Sequence, residues 1–209
     1  MSEVTTATSL SELLAEPMVV ERCELLGRVG VIAYHGGNLE WLTDVIADHV
    51  SAATGASLYS IVQPPGMRRH LASTRMRPDE SPALASFLAH VDIVVTLHGF
   101  GRRGLFDALL LGGRNRTFAE HVGQALRRHL PVYRVLTELD RIPPKLRGQH
   151  EQNPVNLPAQ AGVQIELPPR VRGSSPMWWD WEGPQLTPHT LALIDGLVEA
   201  IRTWPDAAR

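Results

Sequence analysis

Short apolar runs that end in turn residues and give way to helix-spaced runs recur along this chain, and that alternation limits the fold more than any other feature. VGVIAY is a run rich in β-branched residues that stops at a Gly pair, as a buried strand followed by a turn does. NLEWLTDVIADHVSAATG then sets Leu39, Leu42, Val45, Ile46 and Val50 at helical spacing and ends at Gly55. The unit repeats. SLYSIVQ, DIVVTLHG, GLFDALLLGG, PVYRVL and GVQIEL read as strands; SPALASFLAHV, TFAEHVGQALRRHL and TPHTLALIDGLVEAIRTW read as helices. Strands and helices alternating at this spacing predict a three-layer α/β/α fold around a mixed, mostly parallel sheet.

A chain of 209 residues with 44% hydrophobic content is large enough to bury one substantial core. The expected organisation is a loose N-terminal arm over residues 1–18, carrying at most the short Ser-capped helix SLSELLAE, and one domain over 19–209. Residues 137–161 form a Pro- and Asn-rich connection of functional length. With a formal net charge of −2 the chain has no basic footprint, so nucleic acid is not an expected partner. A single cysteine, Cys23, excludes an internal disulfide framework and a Cys-rich zinc cluster. No signal peptide or membrane span is evident, which makes a cytoplasmic protein the expectation. Oligomeric state is not legible.

Ligands of open α/β sheets bind beyond the carboxyl ends of the strands. Three strand ends carry polar groups: His35 with Glu40 after the first, His98 after another, and Glu166 on the last. Two imidazoles and one carboxylate are a recurring ligand set of catalytic zinc, and a further carboxylate can serve as general base. A histidine at one strand end is by itself more often a hydrogen-bonded loop residue, and the spacing HxxxxE is loose. Glu166 closes an apolar strand, where an unpartnered carboxylate is costly.

Several short segments, in one order over residues 30–172, resemble the poly-γ-glutamate hydrolase family, phage-type zinc enzymes similar in fold to the zinc carboxypeptidases. They are AYHGGNLEWLTDVIA, RHLAST, VVTLHGF followed by LLLGGRN, NPVN, and GVQIELPPRVR. The resemblance implies that His35, Glu40 and His98 hold Zn2+ and that Glu166 is the general base of amide hydrolysis on a γ-glutamyl polymer or a related small acidic substrate. It also draws His70, Ser73, Asn153, Asn156 and Arg172 into substrate binding and Arg75 into the role of an oxyanion donor. Arg and Asn chemistry suits a carboxylate, although Asn before Pro is also an ordinary turn former. Three features depart from the family pattern: the basic GFGRR after the second ligand, Pro168-Pro169 after the proposed base, and MWWDW near the end.

A rival reading is a non-catalytic domain of the same fold that recognises a polyanion or a protein through its arginines and tryptophans. Presence of all three ligands together with Glu166 favours the enzyme, since a binder needs no base. A metal-free serine or cysteine hydrolase is weak, because Cys23 lies upstream of these motifs and no GxSxG elbow occurs. His49, His90, His121 and His129 fall on helices and carry no catalytic expectation.

Overall fold

A computed structural model describes residues 3–205. The elements, in chain order, are β1 (Thr5–Thr6), α1 (Leu10–Leu14), β2 (Val20–Glu24), β3 (Val29–Gly37), α2 (Thr43–Thr54), β4 (Ser57–Gln63), β5 (Arg69–His70), α3 (Pro82–His90), β6 (Ile93–Gly99), β7 (Ala108–Leu111), α4 (Arg116–His129), β8 (Arg134–Leu136), β9 (Gly162–Leu167) and α5 (Pro188–Arg202). Seven strands form one sheet in the order β2-β4-β3-β6-β9-β7-β8, and β1 and β5 pair separately. The sheet is mixed and mostly parallel: β2 runs antiparallel to β4 and β7 antiparallel to β9, while the other neighbours are parallel.

The predicted helix starts hold for physical reasons. Ser81, Asn115 and Thr187 each accept a backbone N–H of the first turn of α3, α4 and α5, and Pro82 and Pro188 sit where a helix needs no N–H. α2 starts later than its apolar spacing suggests. Residues 38–42 form a turn instead, with the Glu40 N–H donating to the His35 carbonyl and Leu42 in the left-handed region (φ 66°).

Helices α2, α4 and α5 cover one face of the sheet, where Val95, Leu97, Val163, Ile165 and Leu167 join a single apolar cluster. The opposite face divides. Helices α1 and α3 pack on Ile32, Tyr34, Tyr59 and Ile61, and a smaller cluster forms around Phe100, Leu110 and Ile142. Between them the strands present polar side chains. That gap holds the candidate site.

Two expectations change. The loose arm is docked over its described residues, 3–18, with Met1 and Ser2 outside them. Thr5–Thr6 pair with Arg69–His70, Ala7, Leu10 and Leu13 are fully buried, and Arg69 bonds Glu12 and Glu16. The segment reads as polar because few apolar residues face inward: these three, with Leu14 packed partly beside them. Strand β2 escapes prediction for a related reason: VERCE is an edge strand with only one covered neighbour and lacks an apolar run. No helix among the described residues is long and apolar enough to cross a membrane.

Candidate metal centre

Strand β3 is parallel to β4 up to Ala33, and then a β-bulge inserts one residue before the pairing resumes at Gly36. Bulges re-aim side chains at strand ends. Here the bulge buries His35 beside the turn that carries Glu40. Gly37 completes the turn at φ 67°, where an added Cβ would come within 2.1 Å of the Gln63 carbonyl oxygen, so no other residue fits. Its N–H donates to Asp44 Oδ1 (2.9 Å).

His35 Nδ1 lies 2.8 Å from Glu40 Oε1, and His98 Nδ1 lies 3.6 Å from Glu40 Oε2. The Gly99 N–H donates to the same Oε2 (2.7 Å), fixing the carboxylate. One ligand atom from each of His35, Glu40 and His98 lies within 4.8 Å of the others. Bonds of about 2.0–2.1 Å in a tetrahedral shell separate ligand atoms by roughly 3.3 Å, so this donor set suits zinc in chemistry and spacing. His35 Nε2 is 2.8 Å from the Leu71 carbonyl, which can only accept, so Nε2 carries the proton and Nδ1 is the atom offered to a metal.

The charges follow from this packing. Burial alone would push the Glu40 carboxyl up, but the charges and hydrogen bonds of His35 and His98 outweigh it and hold it well below the ordinary range. Burial likewise disfavours a charged His35, yet Glu40 and the Leu71 carbonyl raise it overall. Glu166 goes the other way. Desolvation raises its carboxyl, and the opposing pull of His98 and a bond from Gln164 is smaller.

Strands β6 and β9 pair in register, placing Thr96 opposite Gln164 and His98 opposite Glu166. Alternation puts all four on the sheet face away from the apolar cluster, and all are buried. A cavity of about 710 Å³ opens over His98, Gln164 and Glu166, lined also by His35, Glu40 and the loop residues Lys145 and His150.

The remaining expected residues separate. His70 lines this cavity with its ring 4.9 Å from that of His35, and burial followed by the nearby His35 charge lowers its imidazole. Ser73 Oγ lies 3.4 Å from His98 Nε2. Asn153 is buried in the wall, where Nδ2 donates to Gln164 Oε1 (2.8 Å). Three positions do not reach the cavity lining. Arg75 is exposed at the end of a 3-10 turn and lines another depression with Arg77 and Asp79, because that turn rotates it away from Ser73. Asn156 bonds the Gly148 and His150 carbonyls and the Arg114 N–H, which makes it a loop brace. Arg172 is buried with its guanidinium committed to the Trp41 and Leu167 carbonyls, and it lines a separate depression with Trp41. Desolvation lowers it, while Glu40 and Glu166 pull the other way. Arg102 and Arg103 are exposed on a turn outside the cavity lining. In the tail, Trp178 is pinned by a bond to the Arg170 carbonyl and a T-shaped contact with His189, while Trp179 is exposed.

A model of the poly-gamma-glutamate hydrolase family matches residues 9–177. The chain belongs to this family. The fold agrees with the poly-gamma-glutamate hydrolase of a bacteriophage, at a TM-score of 0.77 and 21% identity over 94% of this chain and 96% of that one. It also agrees with YNDL in a zinc-free apo form, at a TM-score of 0.74 and 19% identity over 94% and 97%. A curated relative, the SPbeta prophage-derived UPF0714 protein YoqZ of Bacillus subtilis (strain 168), is 30% identical over 141 residues, 67% of this chain and 48% of that protein. The chain thus spans about half the length of the curated relative it matches.

Sequence reasoning missed Gln164, Lys145 and His150. Gln164 had a signal, since in GVQIEL it shares a strand face with Glu166 two residues on. Lys145 and His150 had none, because an irregular loop shows no period from which to tell which side chains face inward.

Proposed function

We propose that this member of the poly-gamma-glutamate hydrolase family is a zinc-dependent hydrolase that cleaves amide bonds of γ-linked glutamate chains or related acidic γ-glutamyl substrates. The observation that carries the reading is the in-register pairing of His98 with Glu166 beside His35 and Glu40, which sets a second carboxylate next to the three candidate ligands. His35, Glu40 and His98 would hold the ion, which when bound supplies Lewis acidity and makes a water nucleophilic near neutral pH.

Glu166 accepts a proton from the attacking water as the new C–O bond forms, and returns it to the amide nitrogen as the C–N bond breaks. Burial, which raises its carboxyl, suits a group that must both take and give a proton. Lys145, His150 and His70 give the cavity lining hydrogen-bond donors suited to the carboxylates of an acidic chain. Arg75 has no part in this scheme, and Arg172 acts through buried charge near Glu40 and Glu166.

The test compares wild type with His35→Ala and Glu166→Gln for bound zinc and for release of new amino groups from poly-γ-glutamate. The expected pattern is one zinc per chain in wild type, zinc lost from His35→Ala, and zinc kept with turnover lost in Glu166→Gln. Zinc binding without hydrolysis of any γ-glutamyl chain would overturn the substrate and point to the binding-domain rival.

A further inference from the structure

Glu166 stands at the end of a buried amide relay. Gln164 Nε2 donates to Glu166 Oε1 (2.9 Å), and Gln164 Oε1 accepts from Asn153 Nδ2 (2.8 Å). Asn153 is oriented in turn, because its Oδ1 accepts the Val155 N–H (3.3 Å). All three side chains are buried. An amide can bond through either end, so the Asn153 donor decides which end of Gln164 faces the carboxylate. With Asn153 in place, the NH2 must face Glu166.

The relay is also clamped sterically. Gly148 takes φ 61° and lies so close that an added Cβ would come within 2.8 Å of Gln164 Oε1 and 2.9 Å of its Cβ. The Gly148 carbonyl is held by Asn156 Nδ2 (2.7 Å). Both asparagines of NPVN therefore converge on Gln164, one by bonding it and the other by fixing the backbone that covers it.

On the reading of Glu166 as general base, we propose that Gln164 is the positioning residue of that base, with Asn153 setting its amide orientation and Asn156 its cover. The bond from Gln164 holds one carboxylate oxygen, so the other is the oxygen presented to water. A misplacement of the order of 1 Å at such a group can lower turnover roughly a hundredfold.

The experiment uses Gln164→Met, which keeps length without a donor, and Asn153→Ala, which frees the amide to rotate. Steady-state hydrolysis of poly-γ-glutamate is expected to show kcat at least tenfold lower in Gln164→Met and about three- to tenfold lower in Asn153→Ala, with KM within twofold and bound zinc unchanged. Crystal structures of the two variants should show the Glu166 carboxylate turned from its wild-type rotamer. A merely structural role would lower Tm and leave kcat per folded molecule unchanged, which would overturn the proposal. So would a wild-type Glu166 rotamer in both variants. Should Gln164→Met fail to fold, Asn153→Ala decides alone. A wild-type protein inert on every γ-glutamyl chain would sink the proposed reaction, while the crystallographic arm still tests whether the relay positions Glu166.

Discussion

The two faces of strands β6 and β9 differ more than any other pair of surfaces in the molecule. One presents Val95, Leu97, Val163, Ile165 and Leu167 to helices α2, α4 and α5 in a continuous apolar cluster. The other presents Thr96, His98, Gln164 and Glu166, all buried, beneath loops rather than under a helix. Burying four polar groups in neighbouring positions opposes folding unless each is paired. The dry face serves stability, and the polar face spends some of that stability on holding charge in a fixed place.

That contrast predicts opposite responses to substitution. The largest is expected of Glu166→Gln, which keeps the Gln164 neighbourhood but removes the proposed base. Turnover should fall about 10²- to 10⁴-fold, with thermal midpoint unchanged or raised, measured by hydrolysis assay beside calorimetry. A loss of stability without loss of turnover would erase the distinction between faces. Next is Phe118→Ala on the dry face, expected to destabilise by about 3–5 kcal/mol in urea unfolding while folded protein keeps its KM. Leu13→Ala, in the docked N-terminal segment, should cost about 2–4 kcal/mol and loosen the β1–β5 pairing, raising hydrogen exchange at Thr5 and Ala7, whose N–H groups donate to the Arg68 and His70 carbonyls.

The difference between faces also explains what the sequence made legible. Periodicity identified the strands of the dry face, since Val-, Ile- and Leu-rich runs have few other uses. It placed His35, Glu40, His98 and Glu166 because strand ends are defined by where the apolar run stops. Periodicity could not assign the loop wall, where Lys145, Gly148 and Asn153 meet the sheet through backbone turns. Arg75 and Arg172 were drawn in by neighbouring motif residues, and local turn geometry and main-chain carbonyls claimed them instead. The N-terminal segment looked loose because three buried apolar residues among polar ones leave almost no pattern.

Smaller effects sharpen the picture at its edges. Lys145→Met should raise KM for an anionic polymer a few-fold, with kcat little changed, and the difference should shrink as salt rises. If kcat falls instead, Lys145 belongs with the reacting groups rather than with substrate binding. Smallest is a pH effect at the N-terminal segment. Bonds from Thr8 followed by Arg69 lower the Glu12 carboxyl from an ordinary 4.5 to about 2, so its stabilisation is complete above pH 4.5 and is lost as pH falls toward 2. Exchange of the Thr5 and Ala7 amides should therefore rise over that window, and Glu12→Gln should reduce the pH dependence, with Glu16 and Glu80 carrying the remainder.

The central claim is that the polar face is a metal-dependent hydrolytic centre. Its most direct test is to strip the wild-type protein with a chelator, titrate zinc back by calorimetry, and follow hydrolysis of poly-γ-glutamate on the same samples. One zinc per chain, with turnover returning in proportion to occupancy, is the predicted result. Failure to bind zinc, or turnover that is unchanged in the stripped protein, would contradict the account.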